Sequence, residues 1–333
     1  MEEARARVAK AIGSKNKEVY FTSGGSESDN IAVKGVALAN REKGNHIITT
    51  KIEHPAILNT CRALERQGFD VTYLNVNKEG LIDLKELEEA ITEKTILISI
   101  MFANNEIGTI EPIEQIGRIA KEHRIIFHTD SVQAIGNVKI DVNKMNIDLL
   151  SMSSHKFYGP KGVGALYIRE GIKCNKLQDG GHQERELRAG TENVAGIVGM
   201  GKAIEIVYRD FDEYNEKLTN LRNYYISEIQ NKIPNIKVNG GMEHRLPGNA
   251  NISFKEVDGE ELLLNLDNYG ICASSGSACS TGQSTPSHVL LAIGVPSSMA
   301  YGALRTTFGE ENTKDDVDYL VEKLKETVEK LRS

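Results

Sequence analysis

The sequence predicts an α/β fold: a large domain built on a mostly parallel sheet, followed by a smaller α+β domain at the carboxyl end. Three observations carry this reading. Short apolar runs alternate with segments of helical period through the first half of the chain. That alternation stops after Thr191, where a long helical stretch begins. The 333 residues suffice for one large domain or two, and 40% hydrophobic with 26% charged residues suits a globular chain with a core. The predicted domains are 1–208 and 209–333.

The elements follow in order. A strand is predicted over 18–22, then the turn Ser23-Gly24-Gly25 and a helix with Ser26 as its N-cap, running to about Glu42. A strand over 46–50 leads to a helix over 56–66. A strand over 69–74 leads to a short helix over 84–90 opened by Asp83. A buried strand over 95–101 leads to a helix over 113–123 behind Pro112, and another strand covers 124–128. Two apolar runs, 147–152 and 163–168, enclose a loop of small and polar residues that holds Lys156. Residues 192–233 read as largely helical, with Ile197, Met200, Ile204, Val207 and Phe211 at helical spacing. Beyond the turns at Gly240-Gly241 and Pro247-Gly248 come a strand over 251–254, a helix over 259–267 and a short strand over 271–273. A loop over 274–287 and helices over 287–292 and 315–331 complete the chain.

Composition narrows the partners. A net charge of −7 argues against nucleic acid or an anionic membrane surface. No apolar run approaches the length of a membrane span, and the polar amino terminus shows no signal peptide, so a cytoplasmic location is expected. Cys61, Cys174, Cys272 and Cys279 form no C-x-x-C pair and no metal-ligand spacing; reduced thiols and no metal site are expected. Cys272 lies in an apolar strand pattern and reads as core. Cys279 has almost no apolar neighbours in a loop of serine, glycine and threonine, which favours a reactive thiol over a core thiol.

In sheets of this type ligands bind beyond the carboxyl ends of the strands. Lys156 follows a strand pattern there, among hydroxyls; it is either a surface charge or an amine that forms a Schiff base with a carbonyl cofactor. Asp130 also ends a strand. A lone aspartate there is commonly an N-cap, but a carboxylate can instead hold a pyridinium nitrogen protonated, with Gln133 one turn on as a donor to a ring oxygen. Gly24-Gly25-Ser26 opens a helix, a common turn and equally a seat for a phosphate, to which Ser153, His155 and Thr191 would add donors. His54, in Glu53-His54-Pro55, is either an ordinary loop histidine or a ring that stacks on a planar group or moves a proton. Arg305 is either solvated or a bidentate partner for a carboxylate.

Taken together these motifs resemble the cysteine desulfurases of the NifS/IscS type, class V aminotransferases with the type I fold for pyridoxal phosphate. The matching stretches are 22–30, Glu53-His54, Asn104-Asn105-Glu106-Ile107-Gly108, Asp130 to Gln133, 153–162, 188–193, Ser275 to Cys279, and Leu304-Arg305, in family order over nearly the whole chain. The resemblance implies pyridoxal phosphate as cofactor, with Lys156 as the Schiff-base lysine, Asp130 on the pyridine nitrogen, Gln133 on the ring hydroxyl and His54 stacked on the ring. It implies a phosphate cup of Gly25, Ser26, Ser153, His155 and Thr191, with Thr191 reaching across a homodimer interface. Asn105 and Arg305 would clamp the substrate carboxylate, and Cys279 would receive sulfur from L-cysteine as a persulfide. The acceptor implied is an iron–sulfur scaffold protein or another sulfur carrier. Many relatives have threonine where Ser26 stands, and family members usually carry a further amino-terminal segment, so the chain reads as a member lacking it. Other readings remain: a selenocysteine lyase or aminotransferase on the same fold, or a truncated form that binds a partner without catalysis.

Overall fold

The computed structural model describes residues 1–276 and 286–333. Helix α1 (Glu2–Ile12) turns Ala4, Val8, Ala9 and Ile12 inward and ends at Gly13 in the left-handed region, φ 72°. Then come β1 (Val19–Thr22), α2 (Gly25–Ala39), β2 (His46–Thr50), α3 (Pro55–Glu65), β3 (Asp70–Leu74), α4 (Leu84–Ala90) and β4 (Thr95–Ser99). The series continues with α5 (Ile113–Glu122), β5 (Ile126–Asp130), β6 (Leu149–Ser153), β7 (Gly164–Ile168) and α6 (Val194–Arg209). Every residue of β2, β4, β6 and β7 is buried, as expected for strands covered on both faces.

These strands form a seven-stranded sheet in the order β1-β7-β6-β5-β4-β2-β3. The pairs β2/β3, β2/β4, β4/β5 and β5/β6 are parallel, and β7 runs antiparallel to both β6 and β1. β1 therefore points the same way as the parallel strands, and its carboxyl end opens on the same side of the sheet. Helix α2 packs across β6, β7 and β4, with Ile31, Ala32, Val33 and Val36 buried.

Residues 76–81, 104–110 and 212–333 make up a second unit, so two short excursions from the first half belong with the carboxyl-terminal part. It contains α7 (Phe211–Lys232) after its first residue, β8 (Ile236–Val238), β9 (Asn249–Phe254), α8 (Gly259–Asp267), α9 (His288–Ala292), α10 (Ser297–Ala300), β10 (Ala303–Thr307) and α11 (Lys314–Leu331). Its antiparallel sheet runs β10-β9-β8. Leu218, Tyr225 and Ile229 of α7, Ile252 and Phe254 of β9, Leu262 of α8 and Val321 and Leu324 of α11 share one core.

Several expectations are corrected. Helix α2 starts two residues early, at Gly25, with Gly24 rather than Ser26 as its N-cap. The strand expected over 124–128 runs over Ile126–Asp130, because Arg124 takes a left-handed turn at φ 57°. The helix expected over 192–233 is two helices, parted at Asp210. No strand forms over 271–273: only Ser274 bridges, to Arg305 of β10, and Cys272 is exposed rather than core. Among the described residues no helix is long and apolar enough to cross a membrane.

Candidate active site

In the large unit, polar side chains gather at the carboxyl ends of β1, β2, β5 and β6. The start of α2 forms one wall. Its N-cap Gly24 offers no side chain to the first-turn N–H groups, and a helix amino terminus favours an anion. A Cβ at Gly25 would lie 2.7 Å from Val132 Cγ2 and 3.6 Å from Ser153 Cβ, so the ends of β5 and β6 approach α2 closely enough to require glycine. Beside it, Ser153 Oγ and His155 Nδ1 are 3.0 Å apart. Burial and the nearby Lys156 and Lys161 charges push the His155 pKa down. Glu27, in the first turn of α2, accepts from Ser23 N–H and, at 3.0 Å, from Arg188 Nε; these contacts outweigh burial and keep its carboxyl below the usual range.

The second wall is acidic and buried. Asp130 ends β5 and is 6% exposed, and its Oδ1 accepts from Val132 N–H at 2.9 Å. Burial raises its pKa, while the Val132 N–H, His54 and Lys156 act in the opposite direction. His54 is the N-cap of α3, just ahead of Pro55, and its Nδ1 accepts from Ala56 N–H at 3.1 Å, which leaves Nε2 as the protonated nitrogen of the neutral ring. One ligating atom each of Asp29, His54 and Asp130 lies within 4.8 Å of the others. Lys156 is on the single 3-10 turn Ser154–Phe157 that follows β6, a turn closed by Tyr158 at φ 64°. Gln133 is half-buried, and its carbonyl accepts from Asn137 Nδ2 at 3.0 Å. Thr191 is exposed, in the loop before α6.

Behind Asp130 runs a polar ladder absent from the sequence reading. His128, two residues earlier on the same face of β5, lies between Ser99 Oγ of β4 at 2.8 Å and Ser151 Oγ of β6 at 3.0 Å. Burial pushes the His128 pKa down to about 3, so the ring is neutral. Asp29 of α2 packs onto this ladder, 1% exposed, with burial foremost and then Asp130 driving its pKa up. The signal for His128 was present in the strand, since i and i+2 share a face. Asp29 carried none, because a charged residue one turn into a helix ordinarily faces water.

In the smaller unit, Arg305 of β10 is half-buried and its Nη1 donates to the Asn105 carbonyl at 3.3 Å. Arg305 N–H donates to the Ser274 carbonyl at 2.6 Å, and Ser274 N–H returns a bond at 3.1 Å. Glu106 is buried and accepts from Ser287 Oγ at 2.5 Å. The structure thus brings together Gly25, Ser153 and His155 in one group, His54, Asp130 and Lys156 in a second, and Asn105 with Arg305 in a third. Cys279 lies outside the described residues.

The chain matches the family described as Aminotransferase class-V over residues 1–320. It is 58% identical over 331 residues to the cysteine desulfurase IscS of Clostridium botulinum, covering 99% of this chain and 83% of that one. A solved structure described as a NifS-like protein superposes with a TM-score of 0.92 at 40% identity, covering 98% of this chain and 87% of the other. Another, described as SspA in complex with cysteine, gives a TM-score of 0.81 at 41% identity, over 94% and 87%.

Proposed function

The chain belongs to the aminotransferase class-V family, in its cysteine desulfurase branch, and we propose that it converts L-cysteine to L-alanine with pyridoxal phosphate as cofactor, passing the sulfur through Cys279 to an acceptor protein. The observation that carries this reading is the buried Asp130 with His54 and the Lys156 charge acting on it, next to the open amino end of α2. That donor set fits the cofactor: a helix amino terminus with Ser26, Ser153 and His155 for a phosphate, a carboxylate for a pyridine nitrogen, an imidazole for a ring face and a lysine amine for a carbonyl.

When bound, the cofactor supplies a carbonyl that condenses with amines and a ring that accepts the electrons of a broken Cα–H bond. Asp130 would keep the pyridine nitrogen protonated by holding a negative charge in a buried setting. His54 would stack on the ring and Gln133 would donate to its hydroxyl oxygen. Gly25, Ser26, Ser153 and His155 would hold the phosphate, with Thr191 of a second copy completing the cup in a homodimer. Lys156 Nζ removes the proton from the substrate Cα. Arg305, its guanidinium held by the Asn105 carbonyl, pairs the substrate carboxylate, together with Asn105. The Cys279 thiolate attacks the substrate sulfur; an S–S bond forms as the Cβ–S bond breaks, its electron pair stays on carbon and takes up a proton, and alanine leaves. The persulfide sulfur then passes to an acceptor thiol, which we read as that of an iron–sulfur scaffold protein in the cytoplasm.

The test is spectroscopic. The purified chain loaded with pyridoxal phosphate should show a visible absorption band that survives gel filtration, and Lys156→Ala should lose it. A chain that stays colourless after loading, or an undiminished band in Lys156→Ala, would overturn the assignment.

A further inference from the structure

Asp29 takes no part in the reaction as described, yet it is one of the most deeply buried carboxyls in the large unit. It is 1% exposed, and its Oδ1 has no hydrogen-bond partner. One of its oxygens lies within 4.8 Å of an Asp130 oxygen and of a His54 nitrogen. Ser151, registered beside Asp130 on the neighbouring strand, acts on the carboxyl in the opposite direction to burial but does not outweigh it. The nearest ring on the ladder, His128 at 3.9 Å, is held between Ser99 and Ser151 and supplies no positive charge.

The charges around the two carboxyls are unequal. Asp29 faces Asp130 and Glu53, both acidic, with Glu53 itself buried and bonded through Oε1 to Thr50 Oγ1 at 2.8 Å and Met101 N–H at 2.9 Å. Asp130 has the Val132 N–H, the nearby His54 ring and the Lys156 charge. Two buried carboxylates this close repel each other, so the pair holds one charge, and the better-solvated partner takes it.

We propose that Asp29 is a positioning residue that acts through Asp130: the pair shares a single negative charge, Asp29 keeps its proton, and the charge stays on Asp130. The proposal rests on the reading of Asp130 as the partner of the pyridine nitrogen. A neutral acid behind Asp130 leaves that carboxylate ionised, whereas an ionised Asp29 would force a proton onto Asp130 and remove the ion pair that the cofactor needs.

Infrared difference spectra test this on the full chain, both stripped of cofactor and loaded with pyridoxal phosphate, for wild type, Asp29→Asn and Asp130→Asn. At neutral pH the wild type should show an Asp29 C=O band of a protonated carboxylic acid beside those of the buried Glu53 and Glu111, whose acids burial also favours. The Asp29 band should be missing from Asp29→Asn and stand out in the wild-type-minus-variant difference. In Asp130→Asn it should remain, with a titration midpoint lower by roughly two pH units, because a like charge at this spacing has been removed. This arm reads Asp29 in its native form and does not depend on Asp29→Asn folding. Absence of the band in wild type, its loss in Asp130→Asn at acidic as well as neutral pH, or an unmoved midpoint would each overturn the proposal. In the loaded chain, Asp29→Asn supplies a neutral stand-in and should hold cofactor affinity within about threefold; a loss beyond about a hundredfold would show that neutrality is not what Asp29 provides. Failure of the visible band on loading would strike the cofactor assignment alone, since the carboxyl band is also read in the stripped chain.

Discussion

Replacing Glu184 by alanine tests how the large unit holds the loop that leads to Thr191. The Glu184 carboxylate accepts from Arg5 Nη1 at 2.8 Å, Arg5 Nη2 at 2.9 Å and Phe21 N–H at 2.7 Å. The two side chains are 2% and 5% exposed, so the pair is buried. Phe21 belongs to β1, an edge strand of the large sheet, and Val19, two residues earlier, gives its carbonyl to Arg5 and Arg185. Glu184, Arg185 and Glu186 all have positive φ, at 42°, 54° and 70°. Removing one partner of a buried pair costs about 3–5 kcal/mol. Release of three left-handed residues at roughly 1 kcal/mol each returns part of this. The net loss should be about 1 kcal/mol. The chain has no tryptophan, so unfolding in urea is followed by circular dichroism. The double variant Arg5→Met/Glu184→Leu removes both charges and should recover most of the loss. A Glu184→Ala loss below about 0.5 kcal/mol, or a double variant less stable than the single changes combined, would refute the reasoning.

Other predictions concern pH and substrate binding. The folded His128 pKa is depressed to about 3 from 6.5, so the stability its neutral ring confers is complete above 6.5 and is lost as pH falls toward 3. Wild type should lose stability relative to His128→Gln across that window by about 1.4 kcal/mol per pH unit, read from urea midpoints; parallel curves would contradict it. Glu111 behaves in the opposite sense. Burial raises it from 4.5 to about 8, so its stabilising proton is kept by the folded chain and its contribution is lost as pH rises from 4.5 toward 8. Glu111→Gln should therefore gain on wild type across that interval by about 1.4 kcal/mol per unit, and a constant difference would exclude the shift. Arg305→Lys should weaken substrate binding by about 1.5–3 kcal/mol, a rise of tenfold or more in KM, while cofactor absorption is kept; an unchanged KM would remove Arg305 from the carboxylate.

Much of the large unit was legible because its strands are buried on both faces: the runs around Ile47-Ile48 and Leu97-Ile98 need no partner to identify them. Lys156, Asp130, His54 and Gly25 were legible for a related reason, since a strand end followed by small or polar residues marks the ligand side of a parallel sheet. What was not legible depends on tertiary packing. Cys272 sits between apolar neighbours yet is exposed, because β10 pairs only with Ser274 there. Strands β8 and β10 are short, and their pairing with β9 decides them. Gly24 rather than Ser26 caps α2 because the backbone turns two residues before the hydroxyl. Asp29 looks like a surface charge until α2 is laid against His128 and Ser151.

Transfer of sulfur from L-cysteine to Cys279 is tested most directly by the mass of the Cys279 peptide after the cofactor-loaded chain has been exposed to L-cysteine. A gain of one sulfur atom is expected, removable by thiol, accompanied by alanine and absent from Lys156→Ala. Alanine and sulfide formed at full rate by Cys279→Ser, with no added sulfur on Cys279 in the wild type, would contradict it.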